Sequence, residues 1–190
     1  MPVLSRLRAW SSCLLLPLLA ASLSGACKTA GSKEGSARPG RVPAWVMQGS
    51  GAFALASGPK VFRAVGAAMR HQTSDLQGFA RQRAGLELDR VLRSWRIVIL
   101  ARDRELGAGP RPKRDVENVA PALRSIAAGA GIKAQWQDPG DGSFFVLLEL
   151  ELSEFKKGLA SSQALDPGVL EELLEYADPA FAEMAQAVKQ

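Results

Sequence analysis

The chain has 190 residues, 24 Lys and Arg against 19 Asp and Glu, a formal charge of +5 and 47% hydrophobic content. That length supports one domain with a substantial core plus short flanking segments. A single histidine and two cysteines leave no ligand set for a zinc site.

Residues 1–26 have the three parts of an export signal. Arg6 and Arg8 form a basic start, Cys13 to Leu23 an apolar centre, and Ser24, Gly25 and Ala26 the small residues that flank a cleavage site. The apolar centre holds about a dozen residues, against the roughly twenty of a membrane-spanning helix, so it is expected to be removed rather than to stay as an anchor. Two cleavage routes both place Cys27 first in the mature chain. Ser24 and Ala26 suit an ordinary signal peptidase. The stretch LSGAC also resembles a bacterial lipobox, in which the cysteine is acylated before cleavage, although the usual leucine at −3 stands here at −4 as Leu23.

Cysteine arithmetic favours the lipobox. Cys13 leaves with the signal, so the mature chain keeps one cysteine and cannot form an internal disulfide. Lipid attachment gives that thiol a use, and two or three acyl chains hold a protein at a membrane where one would bind only marginally. Lys28, not aspartate, follows Cys27, which under the common bacterial sorting rule directs the protein to the outer membrane. Residues 27–42 then read as the lipidated cysteine and a flexible tether, since Lys28 to Arg41 lacks apolar periodicity. A coil of that length spans about 20 Å, enough to clear lipid headgroups.

The folded domain is expected over residues 43–163. Lys60 to Met69 reads as a first strand, with Phe62, Ala64 and Gly66 on one face and Val61, Val65 and Ala67 on the other. Ser74 offers an N-cap for a long helix whose buried face is Leu76, Ala80, Ala84, Leu88, Val91, Leu92 and Trp95. Arg96 to Ala101 (RIVILA) is short and β-branched, and is expected as a central strand. A basic loop follows from Arg102 to Arg114. Val119, Leu123 and Ile126 mark a second helix, with Pro121 in its first turn or kinking it, and Gly129 and Gly131 ending it. IKAQW and SFFVLLELEL form a hairpin about the turn QDPGDG, with Phe144, Val146, Leu148, Leu150 and Leu152 on one face. Glu149 and Glu151 fall on the other face and are expected to be exposed to solvent.

Residues 164–190 read as a C-terminal helical extension of two short helices, each opened by an Asp-Pro pair, Asp166-Pro167 and Asp178-Pro179. Glu171 and Glu172 sit in the first of these helices, where they favour the helix dipole. The fold class is therefore α+β: a small antiparallel sheet of about four strands packed by a long helix.

PAWV at Pro43 to Val46, VFRAVGAA at Val61 to Ala68, the alanine- and arginine-rich helix and IKAQWQDPGDGSFFVLLEL at Ile132 to Leu150 occur in that order. Together they resemble the LPP, or twenty-kilodalton, family of bacterial lipoproteins, whose domain type also occurs at the N-terminus of a flagellar assembly protein. The resemblance covers roughly Pro43 to Lys157. It implies a dodecin-like strand–helix–strand–strand core on a lipid anchor. It implies no shared enzymatic activity, no cofactor and no catalytic residues. The helices after Asp166 and the basic loop depart from the family pattern.

Candidate chemistry is sparse. GSGAFA (Gly49 to Ala54) fits a dinucleotide-binding pattern formally, but Pro43 and Pro59 crowd it and it is expected as a flexible loop. His71 is expected on the surface ahead of the long helix. Asp138 and Asp141 offer two carboxylates where calcium wants six to eight oxygens, and a Pro-Gly turn explains them as well. Glu149 and Glu151 share a strand face about 7 Å apart, a separation that glycoside cleavage by inversion tolerates.

Charge is distributed unevenly. Lys28 to Lys133 holds 19 basic and 8 acidic residues, whereas Ala134 to the end holds 3 and 11. Arg111, Lys113 and Arg114 of the basic loop are a possible interaction surface for anionic lipid, glycan phosphate or an acidic protein face. Export removes the domain from nucleic acid. The residues therefore point to a non-enzymatic lipoprotein of the cell envelope that holds a protein partner or associates with itself. The alternative is an accessory factor, or a weak hydrolase, in assembly of the cell wall or an envelope machine.

Overall fold

The computed structural model describes residues 41–55, 58–105 and 113–188, with backbone alone at 102–105 and 113–117. All fall within a single unit spanning Ala37–Gln190. In chain order the elements are α1 (Ala44–Gln48), β1 (Gly51–Ala54), β2 (Lys60–Ala68), α2 (Leu76–Glu105), α3 (Lys113–Ala128), β3 (Gly131–Gln137), β4 (Phe144–Glu151), α4 (Leu152–Ala160) and α5 (Pro167–Ala187). The four strands form one antiparallel sheet in the order β1-β2-β4-β3. The α+β class with a long helix packed on the sheet is what the structure shows.

The alternation in β2 places Phe62, Ala64, Gly66 and Ala68 against the helices. Small residues there bring α2 very close. A Cβ added at Gly66 would lie 2.0 Å from the Ala80 carbonyl oxygen and 2.3 Å from the Ala84 nitrogen, so only glycine fits under that turn. Ala80, Ala84, Leu88, Leu92 and Trp95 are fully buried, the stripe that the helical spacing predicts. Its cap lies one residue later than expected: Asp75, not Ser74, accepts a hydrogen bond from Gly78 N at 2.8 Å.

Arg96–Ala101 is not a strand. The segment continues α2, because the spacing that buries Leu88, Leu92 and Trp95 runs on to Ile99, also fully buried, while Ile97 is left 65% exposed. Burial on a helical period overrides the β preference of its isoleucines and valine. The fourth strand comes from the segment expected as a flexible loop. Gly51–Ala54 pairs with β2 from Gly51↔Arg63 to Ala54↔Lys60, and Ala52 is buried. Just ahead of β1, Ser50 Oγ accepts from Val65 N of β2 at 2.9 Å.

Helix α3 begins at Lys113, earlier than expected, so Pro121 lies in its interior rather than its first turn. Its end agrees with the glycines, Gly129 N closing on Ile126 O. Leu152 does not extend the strand but opens α4, whose Leu152, Phe155 and Leu159 are buried. The two short helices expected at the end are one helix. Asp166 caps it, accepting from Gly168 N at 2.9 Å ahead of Pro167, but Asp178-Pro179 lies in its interior. The amide bond lost at Pro179 costs about 3 kcal/mol. Burial of Leu173 and Phe181 in the same helix contributes about 2 kcal/mol each and outweighs it.

The segment expected as an extension thus lies in the main core. Phe181 of α5 meets Phe62 edge-on at 5.1 Å, Phe155 of α4 meets Phe62 at 5.2 Å, and Trp95 of α2 meets Phe155 at 4.7 Å. Trp95 Nε1 donates to Ala177 O at 3.5 Å. One aromatic cluster therefore joins sheet, long helix and both closing helices.

Candidate functional site

The residues the sequence offers for attachment, Cys27 with Ser24, Gly25 and Ala26, lie outside the described residues, as does Arg111. Lys113 and Arg114 belong to the backbone of α3 rather than to a loop. Among the described residues no helix is long and apolar enough to cross a membrane. Nor do three His, Cys, Asp or Glu side chains come together there as a metal-ligand group.

The remaining candidates occupy separate places. His71 is exposed in the turn after β2. Asp138 accepts from Gly140 N at 2.8 Å and Asp141 from Ser143 N at 2.8 Å, so both carboxylates fold the hairpin turn. Those bonds to Ser143 hold the Asp141 carboxyl below its ordinary range. Gly142 closes the turn at φ +74, a conformation that glycine adopts without strain.

Glu149 is not the solvent-facing carboxylate expected. Its side chain is only 11% exposed, and Arg63 Nε lies 2.6 Å from Oε1. The register places the two directly opposite on β4 and β2. The neighbouring strands place Gly51 opposite Arg63 and Gly131 opposite Glu149, so the row across the sheet reads Gly51, Arg63, Glu149, Gly131. Arg63 also donates to Gln48 Oε1 of α1 at 3.3 Å and lies over the Phe53 ring, while Lys133 Nζ stands 3.9 Å from Glu149 Oε2. On the same face Trp136 and Phe145 meet at 5.4 Å. Glu151, by contrast, is exposed and accepts from Ser153 Oγ at 3.3 Å. The two glutamates therefore stand in different surroundings, one neutralised by arginine and one in water.

A second ionic cluster borders a groove of about 600 Å³ beside the start of β2 and α4. Asp178 of α5 receives Lys60 Nζ at 2.8 Å on one oxygen and Lys156 Nζ at 2.7 Å on the other. The hydrogen bonds from Lys156 and Lys60 hold its carboxyl below the usual range. Pro59, Leu152 and Ala160 give the groove an apolar lining, with Lys157 at its margin. Sequence reasoning missed both clusters. Arg63 is the one charged residue in the otherwise apolar run Val61–Ala68, a signal that could have marked it, but Asp178 looks locally like a helix cap.

The charge asymmetry resolves onto two helices. Between Leu76 and Ala101, α2 carries five arginines and two acids, whereas α5 carries five acids and neither lysine nor arginine. Comparison of the chain with protein-family models, with curated proteins and with solved structures finds no match.

Proposed function

We propose that this chain is a non-enzymatic lipoprotein of the bacterial cell envelope, a small α+β interaction domain held at the outer membrane by lipid on Cys27. The observation that carries the reading is the run from Arg6 through the apolar centre to Ser24, Gly25, Ala26 and Cys27. The resemblance to the LPP family of lipoproteins agrees with it. The engagement of Glu149 by Arg63, with Glu151 standing exposed in different surroundings, favours an interaction role over wall cleavage by this pair of carboxylates. What the domain offers a partner is its charged surface, basic along α2 and acidic along α5.

The test is the intact mass of the protein from a membrane fraction, beside a Cys27→Ser control. The expected result is residues 27–190 plus an acylated glycerol, lost in the control along with membrane retention. Density-gradient separation of the two membranes then reads the destination, with Lys28→Asp expected to move the protein to the inner one. An unmodified Cys27 in the soluble fraction overturns the reading.

A further inference from the structure

Helix α2 presents a stripe opposite its buried face made of Leu86, Arg90, Arg93 and Ile97, all exposed, with Leu86 and Ile97 each 65% exposed. Two large apolar side chains spaced about three helical turns apart, with guanidinium groups between them, give this face apolar area that a partner could cover. Arg90 pairs with Glu87 and Arg93 with Asp89 in the same helix, and Arg81 makes no ion pair among the described residues. Helix α5 presents the opposite charge. Glu171 and Glu175 lie exposed one turn apart, opposite the buried Val169, Leu173 and Ala177, and neither makes an ion pair among the described residues.

These two helices pack against each other, Trp95 of α2 reaching the Ala177 carbonyl of α5. On their exposed sides, Arg90 and Arg93 stand within one turn of each other on α2, and Glu171 and Glu175 within about one turn of each other on α5. A two-fold axis running between them places α2 of one copy over α5 of the other, and α5 over α2, so both halves of the contact are complementary in charge. We infer that the occupant of this face is a second copy of this chain, in a closed two-fold dimer. Leu86 and Ile97 supply apolar burial, while the arginine and glutamate stripes select orientation and speed encounter. The inference deepens the interaction role proposed above and does not depend on the anchor.

The experiment is sedimentation equilibrium of the full mature chain carrying Cys27→Ser, which removes lipid as a cause of association. The expected result is a dimer at micromolar concentration in low salt, with the dissociation constant rising at least tenfold at 0.5 M salt. Arg90→Glu with Arg93→Glu makes one charge-reversed chain, and Glu171→Arg with Glu175→Arg makes another. Each is expected to be monomeric alone. An equimolar mixture is expected to recover the dimer, because both contacts of the mixed pair are again opposite in sign. Circular dichroism checks that each variant is folded. If the charge-reversed chains do not fold, Leu86→Ser with Ile97→Ser is used instead, and must weaken association at least tenfold. A monomer at all concentrations, a larger open assembly, or a dimer indifferent to these changes overturns the inference. So does a monomer whose α2 arginines instead bind vesicles containing anionic lipid. The anchor is decided separately by the mass at Cys27.

Discussion

Arg63 and Glu149 face each other across β2 and β4, with Nε 2.6 Å from Oε1 and a glycine beside each on the outer strands. The pair is nearly buried, so removing one partner leaves a charge without full compensation. Arg63→Met is expected to lower stability by about 3 kcal/mol, read from urea unfolding. Glu149→Gln keeps the shape and a hydrogen-bond acceptor, and is expected to cost less. The double change Arg63→Met with Glu149→Leu should recover much of the loss. If both single variants unfold at the wild-type midpoint, the pair contributes nothing to stability.

Gly66 carries the closest approach of helix to sheet. Gly66→Ala forces a methyl group into the α2 backbone at Ala80 and Ala84, which cannot yield as a flexible side chain would. The expected loss is about 3 kcal/mol or more, large for the addition of one carbon. Gly85→Ala, on the same helix with open space around it, is expected to stabilise slightly by helix propensity. Thermal unfolding of the two variants side by side checks the contrast.

The last helix belongs to the core, so its truncation should behave as core damage. Phe181→Ala removes a ring packed on Phe62 and is expected to cost about 3–5 kcal/mol. Deleting residues from 164 onward is expected to leave a chain without cooperative unfolding, seen as loss of near-ultraviolet circular dichroism. A stable truncated domain would show instead that sheet and α2 suffice.

Asp178 makes stability depend on acid in a defined direction. Its folded carboxyl titrates below the ordinary value because Lys156 and Lys60 bond its ionised form. It therefore contributes stability above the unfolded value near pH 4, and that contribution is lost as pH falls through the lowered folded value. Asp178→Asn should be less stable than wild type at neutral pH, with the gap closing as pH falls through the lowered folded value. Because both lysines are substantially exposed, the gap should also shrink in high salt. A gap that stays constant from neutral to acid pH would remove the ion pairs as its cause.

The sequence revealed the parts of the fold that repeat a pattern. Alternation marks β2 and β4, and spacing of three and four marks the buried face of α2 from Ala80 to Trp95. It misled where two signals compete within a few residues. Arg96–Ala101 is β-branched and follows no turn residue, so only the burial of Ile99 shows that the helix continues. Asp178-Pro179 has the local form of a helix start, yet its carboxylate is held by Lys60, 118 positions away. Neither that bond nor the pairing of Arg63 with Glu149 is legible without the strand register. The bulge between Ile132 and Ala134 in β3 is one of the details that pattern alone does not supply.

The fold also closes on itself. Val188, just past α5, lies so near Gly51 at the start of β1 that a Cβ there would stand 2.9 Å from its Cγ2. The entrance and exit of the sheet and helix layer are thus neighbours, and the order in which the chain visits the elements is separable from the architecture they build. A short linker from the end of α5 to β1, with the chain reopened at the Asp138–Gly142 turn, would make a circular permutant with the same core. Its cut ends would leave from the far end of the β3–β4 hairpin.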